Sequence, residues 1–148
     1  MFSGTGAGVV RDLILAKLDR LRLYLKYLQE LRKSSLEDFL GDFRICGATE
    51  RYLQVAIESV IDVGNEIISS LELGRPERYR DIPYILSAAN ILPKDFAENL
   101  VSMIGFRNLL VHDYASVNLN LVYEFLQTRL ADFETFIRYI VEWLKKNW

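Results

Sequence analysis

The residues best suited to chemistry cluster around the only histidine of the chain, His112. It stands five residues after Arg107, and Asp113 and Tyr114 follow it. A neutral imidazole can take the proton of a ribose 2′-hydroxyl, so that this oxygen attacks the adjacent phosphate. The planar fork of an arginine can hold the phosphoryl charge that then develops. These residue types suit RNA cleavage without a metal ion.

Such a reaction also needs an acid that protonates the leaving 5′-oxygen, and one chain offers no second histidine. A two-fold symmetric dimer brings the same surface of each subunit together. His112 of one copy could then act as the base and His112 of the other as the acid, with both copies of Arg107 on the phosphate. If the lone histidine is catalytic, it therefore predicts a homodimer.

The spacing of the two residues leaves two arrangements open. In a continuous helix, positions five apart are separated by about 140° at 3.6 residues per turn, so Arg107 and His112 would not share a face. Either the helix ends before His112 or the two groups meet through another chain. A structural role is the alternative: His112 would cap a helix end, Arg107 would pair with Asp113 on the surface, and Tyr114 would serve packing.

Composition bounds the class of protein. The chain has 148 residues, of which 51% are hydrophobic and 26% charged, so a disordered chain is excluded. Its one cysteine, Cys46, and one histidine form neither an intrachain disulfide nor a tetrahedral zinc set. We expect no metal and no cofactor. One domain over residues 11–148, preceded by a flexible N-terminus over residues 1–10, is predicted.

The charge balance sets a limit on how nucleic acid could bind. The 18 basic and 20 acidic residues give a net charge of −2, so the overall charge does not attract RNA. Any RNA contact must come from a local site. The start of the chain lacks the basic and apolar regions of a signal peptide, and no stretch has the length of a membrane span. We expect a cytoplasmic protein that does not bind membranes.

Apolar residues recur every three or four positions along almost the whole chain, which is typical of amphipathic helices. Gly74 and Pro76 mark the end of the second long run. The pattern predicts an all-α bundle of four main helices plus short helical pieces. The predicted helices cover Val9–Lys33, 35–40, Asp42–Leu73, Ile82–Ala89, a segment that begins at Pro93 and carries Leu110, and Asn118–Lys145.

Three polar residues lie beside the apolar stripe of the second long helix. Asp62, Asn65 and Glu66 have i, i+3, i+4 spacing and so neighbour one another on the helix surface. A solvated margin is the simplest interpretation of this group. Support of a site on a neighbouring helix is the other.

The segment Gly105–Tyr114, GFRNLLVHDY, resembles the Arg-x4-His-x-Tyr motif of the HepT-like toxins, a branch of the HEPN superfamily. The likeness extends through Arg51–Asn65 and Pro76–Leu86 and covers roughly residues 11–140. It implies an HEPN-like helical homodimer with ribonuclease activity at a composite interface site. It also implies a toxin-antitoxin system, in which a small MntA-like nucleotidyltransferase is the antitoxin and RNA is the substrate.

The same resemblance assigns roles to residues of this chain. Arg107 and His112 would be catalytic, and Asn108 would position them or the phosphate. Tyr114 would accept AMP from the antitoxin, which blocks the site with negative charge and bulk.

In this family an acidic or amide residue of the second helix often lies near the site. Asp62 and Asn65 are therefore candidates for site support, and the resemblance does not choose between them.

Two other functions compete with the ribonuclease. A non-catalytic helical dimer could bind a nucleotidyltransferase partner or a nucleotide, and it would accept AMP on Tyr114 without cleaving RNA. A purely structural four-helix adaptor would need His112 and Tyr114 only for packing.

Overall fold

The amphipathic segments form seven helices in the part of the chain that the structure describes. This computed structural model describes residues 4–112 and 118–148; the side chain of His112 and all of Tyr114 lie outside that description. The described residues contain helices and no strand, which confirms the all-α prediction. The helices are α1 (Gly4–Leu31), α2 (Leu36–Gly41), α3 (Phe43–Ser70), α4 (Asp81–Ala88), α5 (Lys94–His112), α6 (Leu119–Thr128) and α7 (Leu130–Asn147).

Helix α3 is the central element, because it packs against all six of the other described helices. Its buried residues occupy a broad stripe that includes Leu53, Ile57, Val60 and Ile67. Because α3 is surrounded by other helices, polar side chains at the edge of its buried stripe lie close to those helices. Side chains of α3 can therefore contact side chains of α5.

Helix α1 begins at Gly4, earlier than the predicted start at Val9. Nucleation fixes three residues for one hydrogen bond, whereas each residue added later gains one hydrogen bond for itself, so a long amphipathic helix can extend into weak flanking sequence. Ser34 and Glu37 have the spacing of a capping box, which predicts Ser34 as the N-cap of the next helix. That prediction is wrong, because Ser35 caps α2 and its hydroxyl accepts from the Asp38 amide at 3.1 Å.

The predicted final helix, Asn118–Lys145, is two helices. The chain bends at Arg129, which has φ −116° and ψ 0° and separates α6 from α7. The Arg129 side chain donates to Asp132 at 2.8 Å and to the Asn99 carbonyl of α5 at 3.0 Å. These bonds fix the bend without Gly or Pro, the residues that usually signal one in a sequence.

The C-terminal end of α7 brings the two tryptophans together. Trp143 and Trp148 meet edge to face, with ring centroids 5.0 Å apart. Trp143 also lines a groove against residues 89–93, the connection between α4 and α5. Among the described residues, no helix is both long and apolar enough to cross a membrane.

Candidate functional site

Helix α5 directs Arg107 toward the interior. Leu100, Met103, Ile104 and Leu110 form its buried face, and Arg107 follows Met103 and Ile104 by one turn. An arginine at this position points across the face that packs against α3, so it is desolvated in part. Its side chain is 17% exposed.

Glu58 of α3 is the partner that meets Arg107. Its Oε2 accepts from Arg107 Nη2 at 2.9 Å and from Nε at 3.3 Å. Gln54, one turn earlier on α3, donates to the same oxygen at 3.4 Å. The pair is partly buried, with Glu58 32% exposed, so water screens it less than it screens a surface pair.

This contact uses one side of the guanidinium. Nε and Nη2 face Glu58, while the contact that Nη1 makes among the described residues is a long one of 3.5 Å with the Asn108 Oδ1. Each terminal nitrogen carries two protons, so the Nη1–Nη2 fork can still donate to an anion. Arg107 is thus fixed on one side and able to bind a phosphate on the other.

Tyr79 covers the same guanidinium from another direction. The Arg107 Cζ lies 5.3 Å from the centre of the Tyr79 ring, which is a cation–π contact. The segment of Tyr79 is held by Asp81, whose Oδ2 accepts from the amides of Glu77 at 3.1 Å and Arg78 at 3.0 Å. The turn before α4 is therefore ordered by the first residue of that helix.

Gly64 lets α4 approach α3 closely. A Cβ at position 64 would overlap Ile82 Cγ2 and would touch Leu86 Cδ1 at 3.5 Å. Only glycine permits this separation of the two helices. Because Tyr79 lies two residues before α4, the same close contact helps to bring its ring to Arg107.

A groove of about 440 Å³ opens beside Arg107. The asparagines Asn65 of α3 and Asn108 of α5 line it, together with residues 76–80. Of the two candidates for site support, Asn65 is half-buried in this groove, whereas Asp62 is exposed on α3 and lies outside the lining.

The acidic residue at the site is one that the sequence analysis missed. Glu58 and Asn65 are seven positions apart and so lie on nearly one line along α3, whereas Asp62 is turned about 60° from Asn65. The spacing of Gln54, Glu58 and Asn65 was the available signal. It could be used only once the face of α3 that meets Arg107 was known.

His112, the residue predicted to act as general base in one subunit and general acid in the other, lies on the last turn of α5. The helix runs without a break from Arg107 to His112, so the first of the two arrangements, a helix that ends before His112, is wrong. The backbone positions are therefore about 140° apart around one helix. A meeting of the two groups through a second chain is the arrangement left.

The charges around the groove differ from the balance of the whole chain. Arg75, Arg78 and Arg80 are exposed in the segment before α4, Glu77 lies among them and Asp81 follows them. With Arg107, four cationic side chains here stand against the three carboxylates of Glu58, Glu77 and Asp81, a small positive excess on a protein with net charge −2. A local field of this kind can attract an anion despite the overall sign.

The family model and the curated proteins that this chain matches point to the same group of nucleases. Residues 18–140 match the family described as ribonuclease HepT-like. The mRNA nuclease HepT of Shewanella oneidensis is 33% identical over 128 residues, which are 86% of this chain and 96% of that protein. The tRNA nuclease HepT of Aphanizomenon flos-aquae is 29% identical over 132 residues, 89% of this chain and 90% of that protein.

A solved structure extends this likeness to three dimensions. The tri-AMPylated HEPN toxin of Shewanella oneidensis, determined in complex with its MNT antitoxin, superposes with a TM-score of 0.81 at 33% identity. The match covers 88% of this chain and 98% of that one. The family match, the two relatives and the shared fold agree, and this chain belongs to the HepT-like ribonuclease family.

Proposed function

We propose that this protein is a metal-independent endoribonuclease toxin that cleaves RNA at a site shared by the two subunits of a homodimer. The observation that carries the proposal is the Arg107 guanidinium, held by Glu58 on one side while its terminal fork can donate to a phosphate. The curated relatives, named as mRNA and tRNA nucleases, support the choice of RNA as substrate.

The reaction needs one base and one acid. The neutral imidazole of His112 from one subunit takes the proton of the 2′-hydroxyl, and O2′ forms a bond to phosphorus. The bond from phosphorus to O5′ breaks, and the protonated His112 of the other subunit gives its proton to O5′. The products are a 2′,3′-cyclic phosphate and a free 5′-hydroxyl.

Arg107 and Asn108 assist this step without exchanging protons. The Arg107 fork stabilises the extra negative charge on the phosphoryl oxygens in the transition state. Asn108, the next residue on α5, is placed to orient the guanidinium or the phosphate through its amide. Asn65 lines the same groove and supports the site from α3, whereas the exposed Asp62 has no part in this mechanism.

Neutralisation is proposed to occur at Tyr114, on the basis of the sequence motif. A MntA-like nucleotidyltransferase antitoxin would transfer AMP from ATP: the Tyr114 hydroxyl oxygen bonds to the α-phosphorus, and pyrophosphate leaves. The added phosphate places negative charge two residues from His112 and repels RNA. The structural relative, an AMPylated HEPN toxin in complex with an MNT antitoxin, supports this step. The proposed compartment is the cytoplasm, which holds both RNA and ATP.

The test is cleavage of RNA by the purified protein in the presence of EDTA. The expected result is cleavage that leaves 5′-hydroxyl ends, that EDTA does not change, and that His112→Ala and Arg107→Ala each abolish. Arg138→Ala is the matched control, because Arg138 also lies over a tyrosine ring, that of Tyr139 at 5.5 Å. Wild-type cleavage by His112→Ala would refute the proposal. AMP on Tyr114 without any RNA cleavage would favour the non-catalytic binding module.

A further inference from the structure

The groove beside Arg107 has the dimensions of a small-molecule site. Its volume of about 440 Å³ falls in the range of about 300 to 1,000 Å³ typical of such sites. It shares a wall with the proposed reaction centre, because Asn108 lines it and contacts Arg107. A substrate whose phosphate is bound by Arg107 would place a neighbouring group here.

One wall of the groove is an aromatic ring. Tyr79 lies over the Arg107 guanidinium and remains 47% exposed, so part of the ring faces solvent. Aromatic side chains bind unpaired bases by stacking, and single-stranded RNA offers such bases.

Two amides from different helices face the same space. Asn65 and Asn108 each present a carbonyl acceptor and an NH2 donor, the groups that read the polar edge of a nucleobase. Glu77 lines the same groove as a further acceptor. The Glu77 carboxylate repels a phosphate, so the space beside it favours an uncharged base. Arg78 and Arg80, which also line the groove, favour the phosphates of the RNA backbone.

The groove is also preformed. The Asp81 side chain fixes the amides of Glu77 and Arg78, and the close contact of α4 with Gly64 fixes the helix that follows. A wall that is ordered before binding loses little entropy when the ligand enters.

We propose that this groove binds the base of a nucleotide next to the scissile phosphate and gives the enzyme a base preference. The proposal rests on the proposed ribonuclease function. It assigns stacking to Tyr79 and recognition of the base edge to Asn65 and Asn108.

The test uses short RNAs with one cleavable linkage and each of the four bases, or an abasic ribose, on either side of it. Wild-type kcat/KM is expected to fall by about tenfold or more when the base on one side is removed, as is typical for loss of a stacked base. Asn65→Leu removes one of the two amides assigned to the base edge and leaves the Tyr79 ring in place, so it is expected to reduce the differences in kcat/KM among the four bases. Asn99→Leu changes an exposed asparagine of α5 and should keep the wild-type ratio.

A binding measurement separates this inference from the proposed function. AMP, CMP, GMP and UMP are titrated into the His112→Ala protein, and binding is followed by NMR. The same titrations are repeated with Asn65→Leu added to that protein. If Asn65→Leu weakens binding at least tenfold, the groove binds nucleotides even if the wild type cleaves no RNA. If RNA is cleaved but Asn65→Leu keeps the wild-type ratio of kcat/KM values among the four bases, the groove proposal is refuted and the proposed ribonuclease function stands. If no RNA is cleaved and no mononucleotide binds, both fail.

Discussion

At the scale of single residues, the geometry of Arg107 decides what the site can do. An arginine on a mobile side chain binds a phosphate weakly, because it must lose rotamer freedom first. Glu58 and Tyr79 hold the guanidinium from two directions before substrate arrives. The ion pair thus orders the residue proposed to be catalytic, and its carboxylate leaves the terminal nitrogens able to bind phosphate.

Because Arg107 is proposed to stabilise the charge that develops in the transition state, Glu58 should affect turnover more than binding. We expect Glu58→Ala to lower kcat by about ten- to a hundredfold, the value of a lost hydrogen bond to a charged group, with a smaller change in KM. Glu58→Gln keeps an acceptor oxygen and should recover part of the loss. Steady-state kinetics on one RNA measures both.

Glu50, two turns earlier on α3, provides the control for this prediction. Partial burial raises the pKa of the Glu50 carboxyl, because it removes water from around the charged form. Glu50→Gln therefore removes a carboxylate charge that burial disfavours. Cleavage should be unchanged. A Glu58→Ala enzyme with wild-type kcat would show that Arg107 needs no partner on α3.

The sequence predicted the residues at this scale unevenly. Arg107, His112 and Asn108 were chosen from their types and from the motif, which are local properties. Glu58 lies 49 positions before Arg107, and nothing in the local sequence links the two. Their contact follows from the packing of α3 against α5, which periodicity alone does not specify.

At the scale of elements, the contact of α4 with α3 depends on Gly64. The β-branched Ile82 that a new Cβ would meet has little freedom to turn aside within a helix. Any side chain at position 64 must then push α4, and with it the turn that carries Tyr79.

Gly64→Ala should destabilise the protein by about 1 to 3 kcal/mol, the cost typical of an overpacked core. Gly47→Ala is the matched control on the same helix, because a Cβ there meets no atom within 4 Å. It should stabilise the protein by about 0.5 to 1 kcal/mol through helix propensity. Urea unfolding measures both changes, and equal stability of the two variants would contradict the close contact.

The helices were largely predictable because amphipathic periodicity is a local signal. The spacing predicted α1, α2, α3 and α4 to within about five residues, and the start of α5 to within one. The break at Arg129 was missed, since its cause is a set of hydrogen bonds to Asp132 and to the Asn99 carbonyl of α5. A boundary that depends on another helix has no counterpart in the sequence of its own segment.

At the scale of the whole molecule, a continuous α5 has a consequence for assembly. Because Arg107 and His112 are separated by about 140° around one helix, a second copy is the source of the missing partner in the proposed mechanism. Two-fold symmetry would also bring together two sets of the arginines near the groove. Such a dimer would concentrate positive charge at the proposed site although each chain is acidic.

Mixing of subunits tests this arrangement. If one cleavage uses His112 from both subunits, dimers with one His112→Ala chain are inactive. Activity after equilibration should fall with the square of the wild-type fraction, to about one quarter in an equal mixture. Sedimentation should show a dimer throughout, and Arg138→Ala chains should cause no loss. A fall to one half would mean that each subunit acts alone.

The edge-to-face pair of Trp143 and Trp148 has a practical consequence for observing the molecule. All indole emission originates at one end of α7, so fluorescence excited at the red edge of the spectrum reports melting of that end and carries no native signal from the groove. With Trp143→Phe and Trp148→Phe in place, Tyr79→Trp would supply the sole indole emitter. Quenching by a stacked base could then be followed in real time.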